Sequence, residues 1–418
     1  MTTTVGAPTT FDLGPARALS CRECGHEIPL APEFACAECF GPLEVAYSFG
    51  TIRRADIEAG PKSIWRYRDL LPVPSDVDSH PNTQPGLTRL VRADRLAAAL
   101  GVKSLWVKDD TGNPTHSFKD RVVAVALAAA RQLGFRVLAC PSTGNLANAT
   151  AAAAARAGWE SVVLIPKSLE KAKILTTAVY DGALIAVDGN YDDVNRLATE
   201  LAAEHEDWAF VNVNVRPYYA EGSKTLAYEV AEQLGWRLPE QVVVPIASGA
   251  QLTKVDKGFR ELGELGLVDP TPYRVFGAQA TGCSPVSAAY KAGHDVVQPV
   301  RPDTIARSLA IGAPADGPYV LDVVRRTNGA IEDVTDEEVV EGIRLLARTE
   351  GIFTETAGGV TVATAKKLIE TGKLDPEADT VLLITGDGLK TLDAVENHIG
   401  PRATVAPSAA AVHEALGL

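Results

Sequence analysis

The chain has 418 residues, of which 46% are hydrophobic and 22% charged, with a formal net charge of -13. That length and composition bury a large core and imply at least two domains. The acidic balance leaves no broad basic surface, which excludes nucleic acid and anionic membrane surfaces as partners; with no apolar stretch long enough to span a bilayer and no secretory pattern in residues 1–10, a cytoplasmic protein is expected.

In chain order, residues 1–20 are rich in Thr, Pro and Ala without periodicity and are expected to form a loose arm. A lobe over 21–49 follows, in which Cys21, Cys24, Cys36 and Cys39 form two Cys-x-x-Cys pairs separated by eleven residues. This is zinc-ribbon spacing, two knuckles supplying four thiolates to one tetrahedral ion. Clustered thiols in a reducing compartment point to metal rather than to disulfides. A short lobe packed on a large enzyme could equally keep its fold with the thiols unmetallated. Four protein ligands leave no open coordination position, so any zinc here is structural. Cys140 and Cys283 stand alone in apolar surroundings and are expected to be buried small hydrophobes.

From Leu105 onward, short β-branched runs alternate with Ala-rich helical stretches, the pattern of a parallel sheet covered by helices on both faces, so the fold class is α/β. Expected strands are 135–140, 161–165, 183–187, 241–247, 273–278 and 380–385, each ending at a Gly, Ser or Pro turn. Ligands in such folds collect at the carboxyl ends of strands, which directs attention to the loops after Cys140, Ala247 and Ile384. The alanine run at 149–155 is expected to be a tightly packed crossover helix, and Thr335 with Glu338 a capping box opening another.

Four segments carry chemistry. In Asn113-Pro-Thr-His-Ser-Phe-Lys-Asp-Arg121, Ser117 and Asp120 have helix-start spacing and the following apolar residues keep a helical period, so Lys119 falls in a first turn. The positive end of the helix dipole there depresses an amine toward its neutral, nucleophilic form, as a Schiff-base lysine requires. An exposed surface lysine would fit the same spacing in isolation. Ser142-Thr-Gly-Asn145, between a strand and a helix, offers backbone N–H groups and hydroxyls to a carboxylate or other anion, or is a simple capped turn. Ser248-Gly-Ala-Gln251 suits a phosphate on backbone amides and lacks the Lys-Ser/Thr ending of a nucleotide P-loop. Thr385 opens the fourth, a glycine turn at the rim of the sheet.

Together these segments resemble the fold type II pyridoxal-5′-phosphate (PLP) enzymes, the tryptophan synthase β-like fold, and within them the threonine synthase family. The boxes at 114–121, 142–145, 350–358 and 385–390 carry the likeness, which extends over about residues 21–395. The resemblance implies two doubly wound parallel-sheet domains: a large one from 50–110 plus 236–405, and a smaller mobile one at 111–235. The zinc-ribbon-like lobe precedes them and a tail at 406–418 follows.

It also implies roles. Lys119 would carry PLP and act as general base, with Phe118 beside the ring and Asn145 partnering the phenolic oxygen. Ser248, Gly249, Ala250 and Gln251 would hold the cofactor phosphate, and Thr385 would bond the pyridine nitrogen. A neutral hydroxyl there suits elimination and replacement rather than transamination. Ser142, Thr143, Gly144 and Asn145 would hold substrate, together with Asn212, Asn214, Arg216 and Lys224. The spacing at 212–216 and the Ala-Ser-Gly-Ala phosphate loop depart from the family's pattern. The implied reaction takes O-phospho-L-homoserine, a small amino-acid phosphate, and water to L-threonine and phosphate by γ-elimination and β-replacement, in a homodimer. Two alternatives stand beside it. Another lyase of this fold, a threonine dehydratase or a cysteate synthase, gains if segment 212–225 is remote from the cofactor. A zinc-ribbon binding module on a catalytically dead enzyme has the acidic balance and the intact Lys119 against it.

Overall fold

The computed structural model describes residues 11–142 and 144–418, in which the β-branched runs pair into three sheets. Strands β1 (Ala16–Cys21), β2 (Glu27–Ile28) and β3 (Leu43–Tyr47) form a small antiparallel sheet in the order β2-β1-β3. The expected loose arm is therefore shorter than 1–20. Residues 1–10 lie outside the described residues, and β1 begins at Ala16 because Leu13 and Leu19 have a core to enter, packing with Val45.

The largest sheet contains β4 (Arg89–Arg92), β5 (Ser104–Asp109), β10 (Gln241–Pro245), β11 (Arg274–Ala280), β12 (Ile331–Val334) and β13 (Asp379–Ile384). Its order is β12-β11-β10-β13-β5-β4, parallel throughout except for the edge strand β4. A second parallel sheet holds β6 (Val137–Pro141), β7 (Glu160–Pro166), β8 (Ala183–Val187) and β9 (Trp208–Phe210) in the order β8-β7-β6-β9. The α/β class holds, and every expected strand has its counterpart within a few residues.

Helices cover the sheets where the sequence period changes from two to about 3.6. The alanine run lies in the helix Asn145–Ala157, whose residues from Asn145 to Ala154 are buried and which packs between the helix Lys119–Gln132 and the second sheet. Small side chains let these two backbones approach closely. Thr335 and Glu338 form the reciprocal capping box, and Cys140 and Cys283 are buried. The tail holds an exposed helix, Ala409–Leu416. Among the described residues no helix is long and apolar enough to cross a membrane.

One buried charge cluster fixes the start of the Lys119 helix. Arg121 donates to Asp110 Oδ2 from Nε (2.7 Å) and to Glu229 Oε1 from Nη1 (2.5 Å), while Lys108 Nζ donates to Glu229 Oε2 (2.6 Å). Burial works to raise the Glu229 carboxyl, yet Arg121 and Lys108 beside it hold it down at about 2. Removing one partner of such a buried set leaves a charge without compensation and costs about 3–5 kcal/mol.

Candidate active site

Three of the four chemistry-bearing loops leave the carboxyl ends of parallel strands: Ser142–Asn145 after β6, Ser248–Gln251 after β10 and Thr385 after β13. The fourth reaches them by docking. His116 adopts a left-handed φ of 62°, which turns the chain so that Ser117 bridges Gly386 and the Phe118 N–H donates to Thr385 O at 2.9 Å. Here the expected capping box fails. Phe118 is already helical, the Ser117 hydroxyl is buried without a partner, and Asp120 turns back to accept from the Thr115 N–H (2.8 Å) and hydroxyl (2.9 Å). Lys119 nonetheless occupies the first helical position.

These loops enclose a cavity of about 330 Å³, lined by Phe118, Lys119, Ser142, Asn145, the whole 248–251 loop and Thr385. Asn212 and Arg216 line it as well. Burial brings the Lys119 amine down to about 8, against the raising influence of Glu355 and of Cys140. Its Nζ donates to Tyr219 Oη at 3.0 Å and stands 4.7 Å above the Phe118 ring. The direction is the one expected, but its cause is burial rather than the position at the helix start.

Two helix starts face the cavity. Gly249 precedes the helix Ala250–Glu264 with φ +98°, and a Cβ there would come within 2.7 Å of Val320 Cγ2. Only glycine opens this turn without strain. Nearby, the Nε2 of Gln251 is buried without a partner. Ser142 Oγ accepts from the Gly144 N–H (2.9 Å) and the Ala147 N–H (2.8 Å), capping the helix Asn145–Ala157 itself. Asn145 donates from Nδ2 to both oxygens of Glu355 (2.7 and 3.0 Å), leaving its own Oδ1 buried and unpaired. Thr143 lies outside the described residues.

The remaining candidates separate. Arg216 is held by Asp316, Nη2 to Oδ2 at 2.6 Å. Asn212 makes long contacts of 3.4 Å to Pro141 O and Tyr191 Oη, and its Oδ1 is unpaired. Asn214 turns away, donating to Trp208 O at 3.0 Å. Lys224 is also displaced from the cavity, since its Nζ is buried between Glu221 Oε2 (2.8 Å) and Glu261 Oε2 (3.0 Å). Asn214 and Lys224 thus do not line the cavity: the first bonds the backbone of Trp208, and the second neutralises core carboxylates that would be costly to leave alone. Sequence reasoning missed Glu355, Tyr219 and Phe34, all of which line the cavity. Tyr219 follows Arg216 by one helical turn and Glu355 sits in the 350–358 box, so both were within reach; Phe34 carried no signal.

The cavity thus combines a lysine with a depressed pKa, two helix N-termini for anions, a buried hydroxyl and unpaired amide groups. This set matches PLP: an amine for its aldehyde, an amide-lined turn for its phosphate and an aromatic side chain for its ring. The model of the pyridoxal-phosphate dependent enzyme family matches residues 82–386. Threonine synthase from Methanocaldococcus jannaschii is 37% identical over 380 residues, which are 90% of this chain and 93% of the relative. That from Methanosarcina acetivorans is 36% identical, over 89% of this chain and 92% of the relative.

The chain belongs to the threonine synthase family.

Its fold type II architecture agrees with solved neighbours. A fungal L-serine ammonia-lyase from Rhizomucor miehei superposes with a TM-score of 0.63 at 22% identity, covering 75% of this chain and 97% of the lyase. As a member of the threonine synthase family the chain is a PLP-dependent lyase.

Proposed function

We propose that this chain is a threonine synthase, converting O-phospho-L-homoserine and water to L-threonine and inorganic phosphate with Lys119 as its catalytic residue. The observation that carries the reading is identity of 36–37% to curated threonine synthases over about nine-tenths of the chain. Lys119, the two anion-binding turns and Arg216 lining one cavity give it a site.

Lys119 would hold the cofactor through its amine and, as the free amine, would move the proton at the substrate's α carbon. Its depressed pKa keeps a usable fraction neutral for both tasks. The Ser248–Gln251 turn would hold the cofactor phosphate on its backbone N–H groups, and Phe118, Asn145 and Thr385, which line the same cavity, would hold its ring, phenolic oxygen and ring nitrogen. Glu355 orients the Asn145 amide. When bound, PLP supplies an electron sink that acidifies the carbons next to the substrate amine. N–H groups at the start of the helix Asn145–Ala157 receive the substrate carboxylate, while Arg216 and Asn212 receive its phosphate. Phosphate leaves the γ carbon with the electrons of the C–O bond and takes one proton of the water, the hydroxyl of that water enters at the β carbon, and the proton lost from the β carbon is matched by one gained at the γ carbon.

The smaller domain at 111–235, which carries the sheet β8-β7-β6-β9, closes over this cleft from the larger one formed by 50–110 and 236–405. A homodimer in the cytoplasm completes the reading, on the family likeness and the free thiols. The Cys21, Cys24, Cys36 and Cys39 cluster is proposed as a structural zinc site: its four Sγ atoms lie within 4.8 Å of one another.

Assaying purified protein for phosphate and threonine from O-phospho-L-homoserine, beside Lys119→Ala, tests the function. Stoichiometric products from wild type alone are expected. A cofactor absorbance band without turnover would reject this substrate and direct the search to other amino acids.

A further inference from the structure

The cysteine lobe reaches into the substrate side of the cavity. The Sγ separations are 3.4 Å for Cys21 and Cys39, 3.8 Å for Cys24 and Cys36, and 3.4 Å for Cys24 and Cys39. A tetrahedral ion with Zn–S near 2.3 Å needs edges of about 3.8 Å. Arg22 is seated between the first two of these cysteines, its N–H donating to Pro42 O at 3.0 Å. The Arg22 guanidinium lies 3.6 Å over the Tyr319 ring, whose hydroxyl bonds Glu23, and donates from Nη1 to Asp316 Oδ1 at 3.3 Å. The other oxygen of that carboxylate accepts from Arg216. Asp316 is itself pinned to the phosphate loop, its N–H donating to Ser248 O at 2.9 Å.

Other contacts hold the short helix that Arg216 opens, Arg216–Glu221. Tyr218 Oη accepts from the Ala31 N–H (3.1 Å) and donates to Ala31 O (2.8 Å), and Tyr47 Oη donates to Glu221 (2.7 Å). Phe34, from the loop between the two cysteine pairs, forms part of the cavity wall.

We propose that the cysteine lobe belongs to the substrate-recognition machinery, with Arg22 the positioning residue that sets the orientation of Arg216, and the net charge of the cluster around it, through Asp316. The inference rests on reading Arg216 as the contact for the substrate's phosphate. Arg216 paired with Asp316 alone is neutral and has little to offer a dianion. With Arg22 on the second oxygen the trio carries one net positive charge and Arg216 is held in place by its fixed partner. The side chains of Arg22 and Arg216 are 20% and 24% exposed and that of Asp316 5%, so solvent weakens this field without abolishing it. A lobe that merely braced the fold would change stability and leave affinity for the anion alone.

The test compares holoenzyme with Arg22→Gln and Arg22→Lys, recording KM and kcat for O-phospho-L-homoserine, inhibition by inorganic phosphate and by L-homoserine, zinc content and cofactor absorbance. Arg22→Gln should raise KM and weaken phosphate inhibition roughly tenfold, within the range of coupling between neighbouring groups. Retained kcat, zinc, absorbance and homoserine inhibition should accompany that change, and Arg22→Lys should restore part of the affinity. An unchanged KM, or equal weakening toward phosphate and homoserine, overturns the proposal. If Arg22→Gln loses its metal or fails to fold, Tyr319→Leu removes the seat of the guanidinium from outside the lobe, and an unchanged KM there overturns it equally. Wild type that does not turn over O-phospho-L-homoserine counts against the function instead, and phosphate binding to wild type and variant then decides the role of Arg22.

Discussion

Burial brings the Lys119 amine from 10.5 to about 8, with Glu355 and Cys140 opposing the change. Near pH 7.5 an amine of pKa about 8 is about one-quarter neutral, against about one part in a thousand for an ordinary lysine, a difference of a few hundredfold in nucleophile. Only the neutral amine attacks an aldehyde. Cofactor-stripped protein should therefore capture PLP at a rate rising roughly tenfold per pH unit below about 8 and levelling above it. Stopped-flow absorbance after mixing with PLP measures this directly. Glu355→Gln removes a negative charge that raises the amine, so its plateau should begin at lower pH. A wild-type rate still climbing near pH 10, or capture by Lys119→Ala as fast as by wild type, would refute the reasoning.

Gly249→Ala forces a left-handed φ on a residue with a Cβ, at about 1–2 kcal/mol before the contact with Val320 is counted; weaker PLP retention in equilibrium dialysis is expected. Lys224→Met leaves Glu221 and Glu261 short of a buried cation and should cost about 3–5 kcal/mol in urea unfolding. Because Lys224 is displaced from the cavity, the folded fraction should keep its KM; a large KM increase would return it to the substrate site. Glu229 is held down at about 2 from its ordinary 4.5, so the stability it contributes is fully present above about 4.5 and is lost as pH falls toward about 2. Thermal midpoints should drop across that window, with a shallower acid limb in an otherwise less stable Glu229→Gln. Treatment with a thiol-specific chelator, followed by metal analysis, should release one zinc per chain from wild type and none from Cys24→Ser.

The alternation of strands and helices and the Gly-containing strand ends were legible because each is a local pattern, and they located three walls of the cavity. Lys119 was found by company rather than spacing: its helix start is shaped by the bridge from Ser117 to Gly386, a contact no local rule describes. Lys224 shows the opposite limit. Residue type and neighbourhood pointed to the substrate, but which way a lysine faces on a helix depends on the carboxylates waiting in the core, here Glu221 and Glu261. Asn214 likewise depends on its surroundings, its Nδ2 donating to Trp208 O while its Oδ1 is buried without a partner. Glu355 meets Asn145 across 210 residues, a pairing set entirely by the sheets between them.

The placement of β13 bears on how the protein is made. It lies between β10 and β5 in the largest sheet, and its Asp379 is opposite Ser104, 275 residues earlier. At ordinary synthesis rates of about 5–20 residues per second, β5 waits on the order of 14–55 s for its neighbour. Once β10 has followed, both it and β5 present unpaired edges until β13 is made, and parallel pairing of such long range is slow to form once both partners exist. A ribosome stalling before residue 379 would therefore release a chain with a gap at the middle of its sheet, and such chains should depend on chaperones to stay out of aggregates.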